Sequence, residues 1–293
     1  MRTKTPLTFA VIVMVLFTAC SGGKEDIKPV SYDVNISGHV EKGPILSGTE
    51  IKLTCVRGYN EVTLAEDKTT VTDNLGSFSF KGIQADTKYI GLSASGTYFN
   101  EVTGAVSSKP YELGAYVDIT KTSTVNINLL TTIAYNVASF IMVGDGFRER
   151  YLIEDASRIA QERVINAFRL DAFGITDLTK LSISNGDDSA AALLAVSSML
   201  LSTRSETSLG QLLTGIRNEL GMEGELSPST KATLLQDARY VATIHDQIEK
   251  NVMDYYAKQG KTLTVKNITK YLDLDGDGVA GNESDDYINS ITL

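Results

Sequence analysis

The chain has 293 residues, 42% of them hydrophobic and 22% charged, which is enough apolar material for a sizeable core and excludes a disordered polymer. With 36 acidic against 27 basic residues the formal net charge is −9. That balance argues against nucleic acid, whose phosphates bind through Lys and Arg that displace counterions, and against electrostatic docking on anionic lipid.

Arg2 and Lys4 precede an apolar run at 7–17, and Thr18-Ala19-Cys20 follows it. A charged start, a short apolar stretch and small residues before a cut site are the pattern of a secretory signal, and the run is too short for an ordinary membrane-spanning helix. A cysteine after two small residues resembles the lipobox of bacterial lipoproteins, with Phe17 where that pattern usually carries Leu. The resemblance implies removal of 1–19, acylation of Cys20 and a body held to a membrane by lipid. Residues 20–31 are polar, with Gly22, Gly23 and Pro29, and are expected to be a tether. Within it Lys24-Glu25-Asp26 resembles the lysine-plus-two-acids export signal of surface lipoproteins of Bacteroidota, which implies the outer membrane and a surface-exposed face. With Cys20 acylated, Cys55 has no disulfide partner. It lies among alternating apolar positions at 51–55 and is expected to point inward as a small hydrophobe.

Residues 32–125 have strand character. Val34, Ile36 and Val40 alternate with Asn35, Ser37 and His39; Ile51, Leu53 and Cys55 alternate with Lys52 and Thr54; Phe78 and Phe80 alternate with Ser77 and Ser79. Lys42-Gly43-Pro44, Ser47-Gly48, Asp73-Asn74-Leu75-Gly76 and Ser95-Gly96 punctuate these runs as turns. Short strands at that spacing bury their apolar faces as a sandwich. Gly38-His39-Val40, Gly43-Pro44, the run 47–53 and the T-D-x-x-G-x-F-x-F turn at 72–80 resemble the carboxypeptidase-regulatory-like β-sandwich, similar in shape to transthyretin. That resemblance implies a structural and binding module without catalysis of its own.

From 126 the period changes to that of helices. A buried helix is expected at 127–143, its Asn and Thr making it a poor membrane span; a second runs over 147–173; a third, apolar nearly all round and therefore central, over 189–202. Ser208 with Gln211 forms a capping box for a fourth, and Ser227-Pro228 opens a fifth that extends towards Gly260. Residues 126–266 thus form a helical domain of about five helices. The order of parts, with the Y-F-N-E-V-T-G segment at 98–104, resembles uncharacterised Bacteroidota lipoproteins, a likeness that supplies no activity.

The tail, 267–293, carries one sharp motif. Asp273, Asp275 and Asp277 alternate and Gly278 follows. Calcium takes six to eight oxygens, and this spacing turns successive carboxylates onto one ion. The segment resembles the D-x-D-x-D-G loops of EF-hands, dockerins and thrombospondin type 3 repeats, which implies a backbone ligand at Val279. Ser284 stands where those loops close with an acid, so Asp285, one residue on, is the closing candidate. The competing reading is a solvated acidic tail. Elsewhere, His245 and Glu249 lie four apart on one helix and read as an ordinary helical pair, with no other His or Cys close by in the sequence to complete a zinc site. Tyr98, Phe99 and Tyr111 lie in an aromatic-rich stretch that either packs the sandwich or, exposed, offers a ligand surface for a sugar or a protein. A G-x-S-x-G elbow and a P-loop are both absent from the sequence.

The expected molecule is α+β: an N-terminal antiparallel β-sandwich followed by a C-terminal helical bundle. Its expected role is non-catalytic binding or scaffolding at the cell envelope, with Ca²⁺ as cofactor, the membrane as partner through the lipid anchor, a glycan or envelope protein as ligand, and no nucleic acid. The alternatives are a structural component of a surface complex and a glycan or peptide hydrolase.

Overall fold

Alternation in the first strands is read directly into burial. In β1 (Tyr32–Glu41) Val34, Ile36 and Val40 are buried while Asp33, Asn35 and Ser37 face water. The computed structural model that shows this describes residues 30–144 and 150–274 together with 276, 277 and 279, and of 61–66 the backbone alone. Cys20 and the tether up to residue 29 lie outside the described residues, as do Asp275 and Asp285.

Two sheets carry the N-terminal part. β1 pairs antiparallel with β4 (Ser77–Ala85) and, at its far end, parallel with the short β9 (Ile127–Asn128), giving the order β4-β1-β9. The second sheet has the order β3-β2-β5-β8 and is antiparallel throughout, built from β2 (Glu50–Arg57), β3 (Asn60–Thr70), β5 (Tyr89–Gly96) and β8 (Tyr111–Asp118). Register places Ile51 beside Ala94, Leu53 beside Leu92 and Cys55 beside Ile90, so one face of this sheet is continuously apolar. Ile51, Leu53, Ile90 and Leu92 are all but inaccessible, and a side chain of that size contributes roughly 1.5–3 kcal/mol by leaving water. Cys55 is buried with them, as its alternation predicts, and burial pushes its thiol up. The T-D-x-x-G turn closes on itself: Asp73 Oδ1 accepts the Leu75 and Ser77 amides at 2.9 and 3.0 Å. Gly76 sits at φ 82° with its Cα against β1, where a Cβ would lie 2.3 Å from the Val40 carbonyl oxygen. Only glycine meets both demands.

The helices are grafted onto the second sheet. α1 (Leu129–Val143) starts with a capping box in which the Asn128 side chain accepts the Thr131 amide and Thr131 Oγ1 accepts that of Asn128. Its threonines then occupy β8: Gly114 N–H donates to Thr132 Oγ1 at 3.1 Å, and the Thr131 hydroxyl donates to the Gly114 carbonyl at 3.0 Å. Tyr135 lies against Tyr116 with ring centres 4.4 Å apart, and the Tyr116 and Ser139 hydroxyls are 2.9 Å apart. The polar residues of this buried helix therefore bond a sheet edge. Among the described residues no helix is long and apolar enough to cross a membrane.

α2 (Ile153–Ala167) ends earlier than the periodicity at 147–173 predicts. Arg169 adopts a left-handed φ of 53°, and a short 3₁₀ turn, Leu170–Phe173, follows. The break lets Phe168 and Leu170, too close in sequence to share one helical face, both be buried. α3 (Asp188–Leu201) is buried from Ala190 to its end and occupies the centre, as expected for a helix apolar all round. α4 (Glu206–Met222) begins one turn before the predicted cap: Ser205 is the N-cap and accepts the Ser208 amide at 3.2 Å. α5 (Pro228–Lys258) opens at Ser227-Pro228 as read, and packs on α3. Strands and helices from Ser31 onward share one hydrophobic core in one compact unit.

Candidate functional site

A wide opening lies where strand ends meet α2. It has a volume of about 840 Å³. Arg57 at the end of β2, Asp86 and Lys88 between β4 and β5, Asp118 at the end of β8 and Lys121 after it, and Glu154, Arg158 and Glu162 on α2 surround it. The sequence places them there because strand ends and first helical turns are where chains leave the core and take polar residues. Each charge has an opposite neighbour. Arg57 pairs with Asp86. Lys88 Nζ stands 3.9 Å from Asp118 Oδ2 and 3.5 Å from Glu154 Oε1, and Lys121 Nζ stands 3.8 Å from the same Asp118 oxygen. Arg158 reaches Glu162 at 3.1 Å and Asp155 at 3.3 Å. Asp118 is buried, with Oδ1 accepting the Thr120 amide and hydroxyl at 3.0 and 2.6 Å. Burial, and after it Asp118, pushes the Tyr89 hydroxyl up, so it stays a donor. The cleft thus offers paired charges, carboxylate acceptors and hydroxyl donors, a lining that suits a ligand rich in hydroxyl groups or carrying both signs of charge better than a bare ion. Sequence reading missed this cleft: Arg57 ends β2, Lys88 precedes β5 and Arg158 lies on α2, positions that the local pattern marks only as polar.

The aromatic ligand surface is corrected. Tyr98 is 0% and Phe99 3% exposed. The reason is backbone pairing: Phe99 N–H donates to the Pro44 carbonyl at 2.9 Å and Ser107 N–H to that of Tyr98 at 2.8 Å, which seats β6 (Phe99–Asn100) against its partner β7 (Ala105–Val106) under α5. There Phe99 stacks on Tyr255 with centres 4.1 Å apart. Tyr111 is half-buried, packs edge-on to Tyr98 at 6.4 Å, and has its hydroxyl pushed up to about 12 by burial; it lines a separate groove of about 470 Å³ beside α1 and α4.

The acidic tail is described in part. Gly276 N–H donates to Asp273 Oδ1 at 2.6 Å and Val279 N–H to Asp277 Oδ1 at 2.7 Å, so both carboxylates curl over their own turn. Arg169 donates to the Leu274 carbonyl at 3.1 Å, and Val279 is exposed. His245 Nδ1 lies 3.4 Å from Asp246 Oδ1 and 3.6 Å from Glu249 Oε1. Glu249 Oε1 accepts the Ile268 amide at 3.2 Å, so this helical pair ties α5 to the segment after it.

A second constellation is buried where β1 ends. Glu41 accepts the Ile183 amide at 2.9 Å, the Ser184 amide at 3.3 Å and the Tyr256 hydroxyl at 3.2 Å. Burial nonetheless raises its carboxyl above the ordinary range. Lys42, next to it, is enclosed with Glu101 and lies over the Tyr98 ring, Nζ 4.7 Å from its centre. The signal that could have found this pair is that a strand otherwise alternating ends in two successive charges, Glu41-Lys42, just before Gly43-Pro44. Comparison with protein-family models, curated proteins and solved structures found no match to the chain.

Proposed function

We propose that the chain is a lipid-anchored protein of a bacterial outer membrane, anchored through Cys20 and built on a carboxypeptidase-regulatory-like sandwich, and that it binds a glycan or an envelope protein without catalysis. The observation that carries this reading is the open cleft between the strand ends and α2, lined by hydrogen-bonding groups from three sides. Asp86, Asp118, Glu154, Asp155 and Glu162 each lie against a cation, and Asp177 accepts the Thr179 amide and hydroxyl. Acid–base chemistry on a glycan instead needs two carboxyl groups in opposed environments. The lipid gives attachment, the tether gives reach, and the cleft presents polar groups outward. Calcium at Asp273, Asp275, Asp277, Val279 and Asp285 would stiffen the tail; the curled Asp273 and Asp277 support that assignment.

A glycan array probed with the detergent-solubilised protein, with and without calcium, tests the reading. Signal confined to one sugar class and lost in Lys88→Ala supports the cleft as the site. Glycan signal that Lys88→Ala leaves unchanged would place binding elsewhere. A second reading, assembly by strand addition, is favoured by one feature: β3, eleven residues long, ends its sheet.

A further inference from the structure

We propose that Lys42 and Glu101 are joined in the mature protein by an isopeptide bond, an amide between the lysine Nζ and the glutamate Cδ formed without an external enzyme. The pair is sealed: both side chains are 0% exposed, with Nζ 3.9 Å from Glu101 Oε1. At that distance there is no hydrogen bond, and among the described residues Nζ has no acceptor at all. An ammonium carries three donors, and enclosing it with none of them accepted costs several kcal/mol. An amide nitrogen has one N–H and no charge, so the bond removes most of that cost.

The surroundings are arranged for the step. Burial lowers the lysine towards its neutral form, against the pull of Glu101 and Glu206. A neutral amine has the lone pair that addition requires. The Ser197 hydroxyl donates to Glu101 Oε1 at 2.7 Å, and Gly43 N–H donates to Oε2 at 3.4 Å. These two donors face the oxygens on which negative charge develops when nitrogen adds to Cδ. The partners are also held still. Gly43 is pressed on β6, where a Cβ would lie 2.1 Å from the Phe99 carbonyl oxygen; Asn251 on α5 donates to the Glu101 carbonyl oxygen at 3.0 Å; and Ser197 Oγ lies 2.9 Å from the Lys42 carbonyl oxygen. Reactants fixed in this way gain the effective concentration of an intramolecular reaction.

The balance is simple. A proton passes from the ammonium to the carboxylate within the pair; the Nζ lone pair attacks Cδ and forms the C–N bond; the C–OH bond breaks, and the hydroxyl leaves with a proton from nitrogen as water. Nothing is oxidised or reduced and no co-reactant enters. The product staples the end of β1 to the loop after β6, two segments that sequence reading marked separately as a turn and as the Y-F-N-E-V-T-G motif.

Trypsin digestion of the denatured full-length protein, followed by tandem mass spectrometry, decides it. Trypsin cuts after Lys42 only if its amine is free. The expected result is no cut there and a branched peptide carrying Lys42 and Glu101, lighter by one water than its two linear parts. Glu101→Gln should give the same branched peptide by losing ammonia, and Glu101→Ala should restore the cut after Lys42. Cleavage after Lys42 in the wild-type chain, or a branch mapped to another carboxylate, would overturn the proposal. The wild-type measurement decides the matter even if the variants do not fold.

Discussion

Lys88 with Glu154 in the cleft and Lys42 with Glu101 at the junction are the same pair of residue types at nearly the same separation, 3.5 and 3.9 Å. They differ in water. Lys88 and Glu154 are 37% and 61% exposed, whereas the junction pair is sealed. Solvent screens the first pair and leaves each partner available to a ligand; enclosure makes the second pair's charges costly and its reactivity high. Location, rather than residue type, leaves one acid–base pair open to water and encloses the other, and the roles proposed for the two follow from that difference.

The sharpest way to break that comparison is to remove one member of each pair. Lys42→Met leaves Glu101 enclosed as a carboxylate with neither a cation nor an amide bond to satisfy it and should destabilise the fold by about 3–5 kcal/mol, read as a large fall in the urea midpoint. A fall no greater than that of Lys88→Ala would erase the distinction.

Glu41→Gln should cost roughly 1–3 kcal/mol, because two amides and the Tyr256 hydroxyl lose a carboxylate acceptor. Its pH dependence has a defined sign. The folded carboxyl titrates above its ordinary 4.5, so between those values the folded state holds more protons than the unfolded one. Stability from this group is present at and below the ordinary value and is lost as pH rises through the raised one. Thermal melts should therefore show the wild-type advantage over Glu41→Gln shrinking as pH rises from about 4.5; an advantage that grows with pH refutes the assignment.

Calcium should stabilise the protein by roughly 1–3 kcal/mol at ten to a hundred times a dissociation constant of about 10⁻⁴–10⁻³ M. Asp273→Asn with Asp277→Asn should abolish the rise in melting temperature. No rise in the unaltered protein at millimolar calcium removes the ion from the proposed function. Smallest of all, Lys88→Ala should change stability by less than about 1 kcal/mol while reducing ligand capture, which separates the cleft's proposed binding role from the junction's structural one.

Several corrections share one cause. Periodicity marks residues as apolar or polar, but Phe99 is covered by Tyr255 of α5, more than 150 residues on in the chain, and no local pattern carries that information. Ser205 rather than Ser208 caps α4, because both hydroxyls look alike in sequence and only the path of the chain decides which oxygen meets an N3 amide. Arg169 takes a left-handed φ because Phe168 and Leu170 are drawn into one core, a demand set by the neighbours of α2.

The sequence by itself determined the element types and their order: strands where apolar residues alternate, helices where they recur at three and four, the start of α5 at Ser227-Pro228, and the inward Cys55. Those features depend on neighbours a few residues away, where backbone geometry imposes a fixed period. Tertiary structure alone decided which charges meet. Gly43 and Glu101 are 58 positions apart, and Glu41 reaches Tyr256 across 215. Only packing sets such distances and the exclusion of water around them, and that exclusion turns a lysine and a glutamate into a pair with chemistry of its own.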